Sequence, residues 1–301
     1  MPGNISRIRR LHAIDNTNIL ILYITMQGIM LTAIVTTYNN EATIRPCLES
    51  LSFADEIVLV DSGSTDNTLA IATEYSARIV SQPWLGYGAQ KNVGAAAARG
   101  TWVLFVDSDE EIPPLLGKRM KAICNGDPEK AAFNIYWLRT LNIFFHRPLR
   151  HLYGHNARLF KRGAAQWNNA TVHEQVSRCI NSRVIKLGDP DTGIILPPLF
   201  HHSYNTVGAY LKKMHRYTTL DAKQMAAHNR HRSGRLVRPV WHTPYRLAAR
   251  QLVKMVVYRH GILDGWRGML WCVLSSYYEF ELGQKYLRNA QGEHVHNRLP
   301  K

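Results

Sequence analysis

Thr101-Trp-Val-Leu-Phe-Val-Asp-Ser-Asp109 is the stretch that decides how this chain folds. Five apolar residues of strand length run straight into two carboxylates spaced two residues apart, so an extended segment ends in an acidic turn. Outward from it the pattern alternates. Leu31-Thr-Ala-Ile-Val-Thr-Thr37 is a β-branched run that ends at Tyr38-Asn-Asn40, and Glu41–Leu51 has apolar residues at 44, 47, 48 and 51, one face of a helix. Pro46 fits there because it falls in the first turn. Glu56-Ile-Val-Leu-Val-Asp61 is a second strand, and the polar turn Ser62–Thr68 caps a helix to about Tyr75. Arg78–Val80 predicts a third strand, Gly88–Arg99 an alanine-rich helix, and Thr101–Asp107 the fourth strand. Strands alternating with helices of roughly ten residues imply right-handed βαβ units and a mostly parallel sheet, with ligands beyond the C-terminal strand ends. Polar residues collect there: Thr36, Thr37 and Tyr38, then Asp61, then Asp107-Ser-Asp109.

No GxxxxGK[ST] and no GxGxxG follows a strand, which disfavours kinase and dinucleotide readings. A pair of strand-end carboxylates instead offers hard oxygen ligands to a divalent ion, with room in its shell for diphosphate and water. Acidic turns after strands are common, so the pair gains weight only with Asp-Ser-Gly-Ser-Thr-Asp-Asn-Thr68 and Gln90-Lys-Asn92 beside it.

Val35-Thr-Thr-Tyr-Asn-Asn40, Val60–Asp66, Gln90-Lys-Asn-Val-Gly94 and Leu104–Glu111 together resemble the family 2 inverting glycosyltransferases of GT-A fold. Trp167–Glu174, Phe200-His-His-Ser-Tyr204, Lys213–Thr218 and Gly261–Gly268 look like the bacterial branch that adds glucose to the heptose of the lipopolysaccharide inner core. The likeness covers roughly 31–285. It implies a nucleotide-binding, Rossmann-like, mostly parallel α/β sheet with an acceptor half, spanning 31–205, and a basic, largely helical region over 206–301.

By that resemblance Thr36, Tyr38 and Asp61 would hold the uridine of a UDP-sugar, UDP-glucose by preference. A ring can stack on the base and a carboxylate can accept its N3–H. Lys91 would face the base or diphosphate where many relatives carry arginine; lysine lacks the planar fork, and a solvated helix-face lysine is the alternative. Asp107 would meet ribose or the metal through water, and Asp109 would bind Mg²⁺ or Mn²⁺ directly. His201 stands where the family has a histidine ahead of the Ser-Tyr pair and would be the third protein ligand, with its neighbour His202 as the alternative. Inverting transfer also needs a base for the attacking hydroxyl, and Glu174 is the candidate. His173 would orient it or help the metal. Glu110 reads as a cap for the helix that follows, because Glu111 and Pro113-Pro114 come next, with a competing metal ligand as the alternative.

Lys+Arg number 37 against 22 Asp+Glu, a net charge of +15. Twelve of those cations and one acid lie between Lys212 and Arg259, so the remainder is nearly neutral. Such an excess points to a polyanion: nucleic acid, an acidic membrane face or phosphorylated substrates. Tyr210–His228 and Pro244–Tyr258 are helical in pattern. In the second, Leu247, Leu252, Val253, Val256 and Val257 can share a face ringed by Arg246, Arg250, Lys254 and Arg259. Basic amphipathic helices lie on anionic membranes, and Trp266, Trp271, Tyr277 and Tyr278 would add interfacial rings. The expectation is a cytoplasmic enzyme, peripheral on the inner face of the cytoplasmic membrane. A core-packed helix pair with a solvated cationic face is the alternative, as is a basic groove gripping the phosphates of the acceptor. Nucleic acid is disfavoured, since no RRM, KH, zinc-finger or helix-turn-helix signature occurs. A polyprenyl-phosphate acceptor keeps the fold and changes the substrate. Four scattered cysteines read as reduced thiols, and residues 1–30 as an N-terminal extension of uncertain status, with a membrane anchor as the alternative.

Overall fold

A computed structural model describes residues 30–126, 132–168, 174–204 and 206–292. The anticipated N-terminal extension and His173 therefore lie outside the described residues.

The first half alternates as the apolar runs require: β1 (Leu31–Thr37), α1 (Ile44–Glu49), β2 (Glu56–Asp61), α2 (Thr68–Glu74), β3 (Arg78–Ser81), α3 (Tyr87–Ala97) and β4 (Trp102–Asp107). A two-residue strand β5 (Glu110–Glu111), helix α4 (Pro114–Cys124), and the long hairpin β6 (Ile135–Phe144) and β7 (Arg147–Lys161) come next. Short strands β8 (Ala165–Trp167) and β9 (Val176–Arg178) pair with each other, and β10 (Thr192–Tyr204) returns to the main sheet. That sheet has eight strands in the order β3-β2-β1-β4-β7-β6-β10-β5. Its first four strands are parallel; β7 and β5 run against the rest, and β10 lies parallel to β6. The fold is the mixed α/β, mostly parallel architecture that the sequence implied.

Burial follows from the uninterrupted apolar strands. Leu31, Ala33, Ile34 and Val35 of β1 and Val103–Val106 of β4 are almost wholly buried, covered by helices on both faces. Each such Leu, Ile, Val or Phe side chain contributes about 1.5–3 kcal/mol of transfer free energy. Helix α3 approaches the sheet so closely that a Cβ on Gly94 would overlap Ile34 and stand 3.0 Å from Val60.

Helix α5 (Val207–His228) starts at Thr206, whose side chain accepts the N–H of Ala209, and stops at Asn229 in the left-handed region. The chain continues as α6 (Thr243–Val253), a π-helical turn (Lys254–Tyr258), a 3-10 turn (Gly261–Asp264) and α7 (Gly265–Ala290). These helices share a core with the β6–β7 hairpin, where Phe144, Leu149 and Leu152 pack with Tyr210, Met214 and Cys272. No helix among the described residues is long and apolar enough to cross a membrane. All four cysteines are unpaired.

The expected amphipathic face of 244–258 is divided. Leu247 and Val256 pack against the core, whereas Leu252, Val253 and Val257 are exposed. Trp271 and Tyr278 also turn inward, because on α7 they share a stripe with Leu274, Leu282 and Tyr286; Trp266 and Tyr277 face solvent.

Candidate active site

Strand register gathers the polar residues at one edge. Thr36 lies beside Asp107 and Thr37 beside Asp61, so the ends of β1, β2 and β4 are level. Thr36 is half-buried, and the Tyr38 ring beyond it is 58% exposed. Asp61 is buried and accepts from Gly63 N (2.9 Å), Ser64 N (3.0 Å) and Ser64 Oγ (2.5 Å). The neighbouring turns are stitched together, Asn39 N donating to Ser64 Oγ and Thr65 N to Asn39 Oδ1. A carboxylate spent on its own turn builds a rigid rim.

The carboxylates after β4 divide by partner. Asp107 sits between two cations: Oδ2 is 2.8 Å from Arg158 Nη2 and Oδ1 is 3.2 Å from Lys91 Nζ. Burial pushes its pKa up, yet Arg158 and Lys91 outweigh this and hold it well below the usual carboxylate range. Lys91 is buried. Its ammonium lies 2.6 Å from Glu174 Oε1 and 4.4 Å from the centre of the Trp167 ring, so the solvated-lysine alternative does not hold. Asp109 has a different partner, its Oδ2 lying 3.3 Å from His201 Nε2. Burial alone would raise the Asp109 pKa and lower that of His201; the pair moves both in the opposite directions.

His201 is placed by β10, whose register sets it between Glu110 of β5 and Asn142 of β6. Its Nδ1 lies 3.1 Å from Asn142 Oδ1 and 3.0 Å from Ser203 Oγ, which fixes the ring. His202 points elsewhere, 3.1 Å from Glu111. Glu110 does not cap α4 as expected: it is buried, accepts from Asp107 N (2.9 Å) and Arg158 Nη2 (2.8 Å), and burial holds its pKa up.

Among the described residues no group of three His, Cys, Asp or Glu side chains could hold a metal by itself. Asp109 and His201 fit as a half-shell. In an octahedral shell with bonds of about 2.1 Å, adjacent ligand atoms are about 3 Å apart, close to their 3.3 Å spacing. The other positions suit diphosphate oxygens and water. Asp107 does not join the half-shell in this arrangement, because both its oxygens are turned to cations.

Arg158 escaped sequence reading, and Glu110 was legible only as a helix cap or a competing metal ligand. The available signal was a lone arginine inside the apolar run Ala157-Arg-Leu-Phe160, since a charge in a buried strand requires a partner. Arg158 Nε and Nη1 and Trp167 Nε1 are buried and find no hydrogen-bond partner among the described residues. A cavity of ≈ 360 Å³ opens at the opposite, N-terminal edge of β2 and β3, lined by Glu56, Arg78 and Arg99, away from this chemistry.

The sequence model of the family described as Glycosyl transferase family 2 matches residues 32–185. The lipopolysaccharide core biosynthesis glycosyltransferase LpsC of Rhizobium meliloti is 28% identical over 200 residues, 64% of this chain and 71% of that protein. An uncharacterized glycosyltransferase of Rickettsia bellii is 40% identical over 83 residues, and the match spans only 28% of its length. Among solved structures, glucosyl-3-phosphoglycerate synthase from Mycobacterium tuberculosis, in complex with Mn²⁺, UDP and glucosyl-3-phosphoglycerate, is 29% identical. The match covers 38% of this chain and 43% of that one, with a TM-score of 0.30. S. aureus TarS is 17% identical over 87% of this chain and 55% of its own, with a TM-score of 0.44.

Proposed function

Since the chain belongs to glycosyl transferase family 2, we propose that it is an inverting transferase moving a hexose, glucose by preference, from a UDP-sugar to a hydroxyl of the lipopolysaccharide core. The observation that carries the mechanism is Lys91, whose ammonium spans Asp107 at 3.2 Å and Glu174 at 2.6 Å. The donor-side carboxylate and the candidate base thus share one cation, although they come from β4 and from the segment before β9.

On the donor side, the Tyr38 ring stacks on the base, with Thr36 and Asp61 at the rim of the uridine pocket. Asp109 and His201 would hold Mg²⁺ or Mn²⁺. When bound, that ion neutralises charge developing on the departing UDP. Arg158 keeps Asp107 ionised. On the acceptor side, Glu174 Oε2 takes the proton of the attacking hydroxyl while Oε1 stays on Lys91. Attack from the face opposite the leaving diphosphate inverts the anomeric carbon. A peripheral position at the inner face of the cytoplasmic membrane, where a lipid-linked core acceptor would be presented, belongs to the same reading and is supported by the cationic excess of residues 212–259.

Turnover of UDP-glucose with purified core oligosaccharide, with the product anomer read by NMR, tests the reading. A β-linked product from the α-linked donor is expected. Retention of configuration, or turnover with extracted polyprenyl phosphate alone, overturns it.

A further inference from the structure

Val253, Val257, Tyr258, Ile262, Leu263 and Trp266 are each at least half exposed, and all fall within fourteen consecutive residues. They occupy the end of α6, the π turn, the 3-10 turn and the first turn of α7, an irregular tip beside the β6–β7 turn, where the Phe145 and Trp266 rings stand 5.6 Å apart. Folded monomers rarely leave so many large apolar side chains together in water. The charges around them have one sign. Every exposed charged residue over 250–266 and over 145–152 is basic: Arg250, Lys254, Arg147 and Arg150. The one acid of these segments, Asp264, is turned inward and accepts the N–H groups of Arg150 (2.8 Å), His151 (3.0 Å) and Leu152 (3.3 Å).

We propose that this tip docks into an anionic lipid bilayer, its apolar residues entering the headgroup boundary and its arginines and lysine meeting lipid phosphates. The tip, rather than the flank of a long helix, is then the membrane surface. A second copy of the chain fits poorly, because a twofold contact would press two cationic rims together. An ordinary soluble partner would have to match apolar and cationic features on a protruding turn, whereas a bilayer supplies both. The tip is also preorganised, so little ordering entropy is lost on docking. Besides the Asp264 bonds, Arg259 donates to the carbonyl of Tyr153 and lies over its ring, and Gly261 packs against Leu152 and Cys272.

The same strand joins the tip to the chemistry. Leu152 of β7 is bonded to Asp264, and Arg158, six residues on, holds Asp107. At about 3.3 Å per residue, the carboxylates stand no more than about 20 Å along the strand from the docked tip. This consequence rests on the glycosyltransferase reading: the favoured acceptor hydroxyl lies a few sugars from the lipid, within that span. The docking itself does not rest on it.

Co-sedimentation of the full chain with phosphatidylcholine vesicles, and with vesicles that also contain phosphatidylglycerol, tests the proposal at about 0.15 M salt. UDP binding and oligomeric state are measured on the same preparations. Wild type is expected on the anionic vesicles alone. Lys254→Gln should weaken binding about five-fold, and the double variant V257D/L263D should remove it while UDP binding persists. Equal binding of the double variant and wild type, or no binding of wild type to anionic vesicles, overturns the proposal. So does a wild-type dimer that the double variant turns into a monomer, which would make the face a self-interface. Loss of UDP binding in wild type would count against the enzymatic reading and leave the docking result standing.

Discussion

Lys91 and Glu174 are ion-paired at 2.6 Å across 83 residues of sequence, and the same ammonium lies 3.2 Å from Asp107. The pair ties the helix before the acidic strand to the segment leading into β9. It joins the two halves of the proposed reaction before either substrate arrives.

Glu174→Gln keeps the size of the side chain and removes its basicity. The expected kcat is about 10²–10⁴-fold lower, with UDP affinity unchanged, as measured by steady-state turnover and calorimetry. A variant with normal kcat would move the base elsewhere.

Lys91→Met removes the shared cation and leaves Glu174, largely buried, without its charge partner. Breaking a buried pair costs about 3–5 kcal/mol. A drop of that size in urea unfolding is expected, along with weakened donor binding; a neutral result would show that the lysine is a surface group.

Helix α3 touches the sheet through Gly94. Gly94→Ala should cost about 1–3 kcal/mol despite the better helix propensity of alanine, because Ile34 and Val60 must move. A stabilised variant would contradict this packing.

Glu56 accepts from Thr32 Oγ1 (2.6 Å), Arg99 N (2.9 Å) and Arg78 Nη2 (2.9 Å) at the start of β2. Burial pushes its pKa up, but these partners outweigh it and leave the value below the ordinary 4.5. The folded state therefore binds fewer protons than the unfolded state as the pH drops below that value. The stability it contributes is complete above 4.5 and is lost as pH falls through the lower folded value. Glu56→Gln should be about 2 kcal/mol less stable at neutral pH and show a shallower acid dependence. An unchanged acid transition would assign that loss to other carboxylates.

The parallel half of the sheet was legible in the chain because each apolar run ends in a polar turn, as at Thr37, Asp61 and Asp107. The geometry of the site was less so. The spacing of His201 and Asp109 depends on β10 returning beside β5, a long-range register that no local pattern announces. Arg158 stayed hidden because its partners arrive from β4 and β5, far away in sequence. Trp271 and Tyr278 were misread for a related reason. On a helix with aromatic residues all round, the core decides which rings turn inward, and that core is built from the distant β6–β7 hairpin.

The most direct test is calorimetric titration of UDP in the presence of Mn²⁺ and again with chelator, for wild type, Asp109→Ala and His201→Ala. Cation-dependent binding in wild type, lost in both variants, is the expected result. Equal affinity in chelator, or variants that bind like wild type, would contradict a diphosphate held through Asp109 and His201.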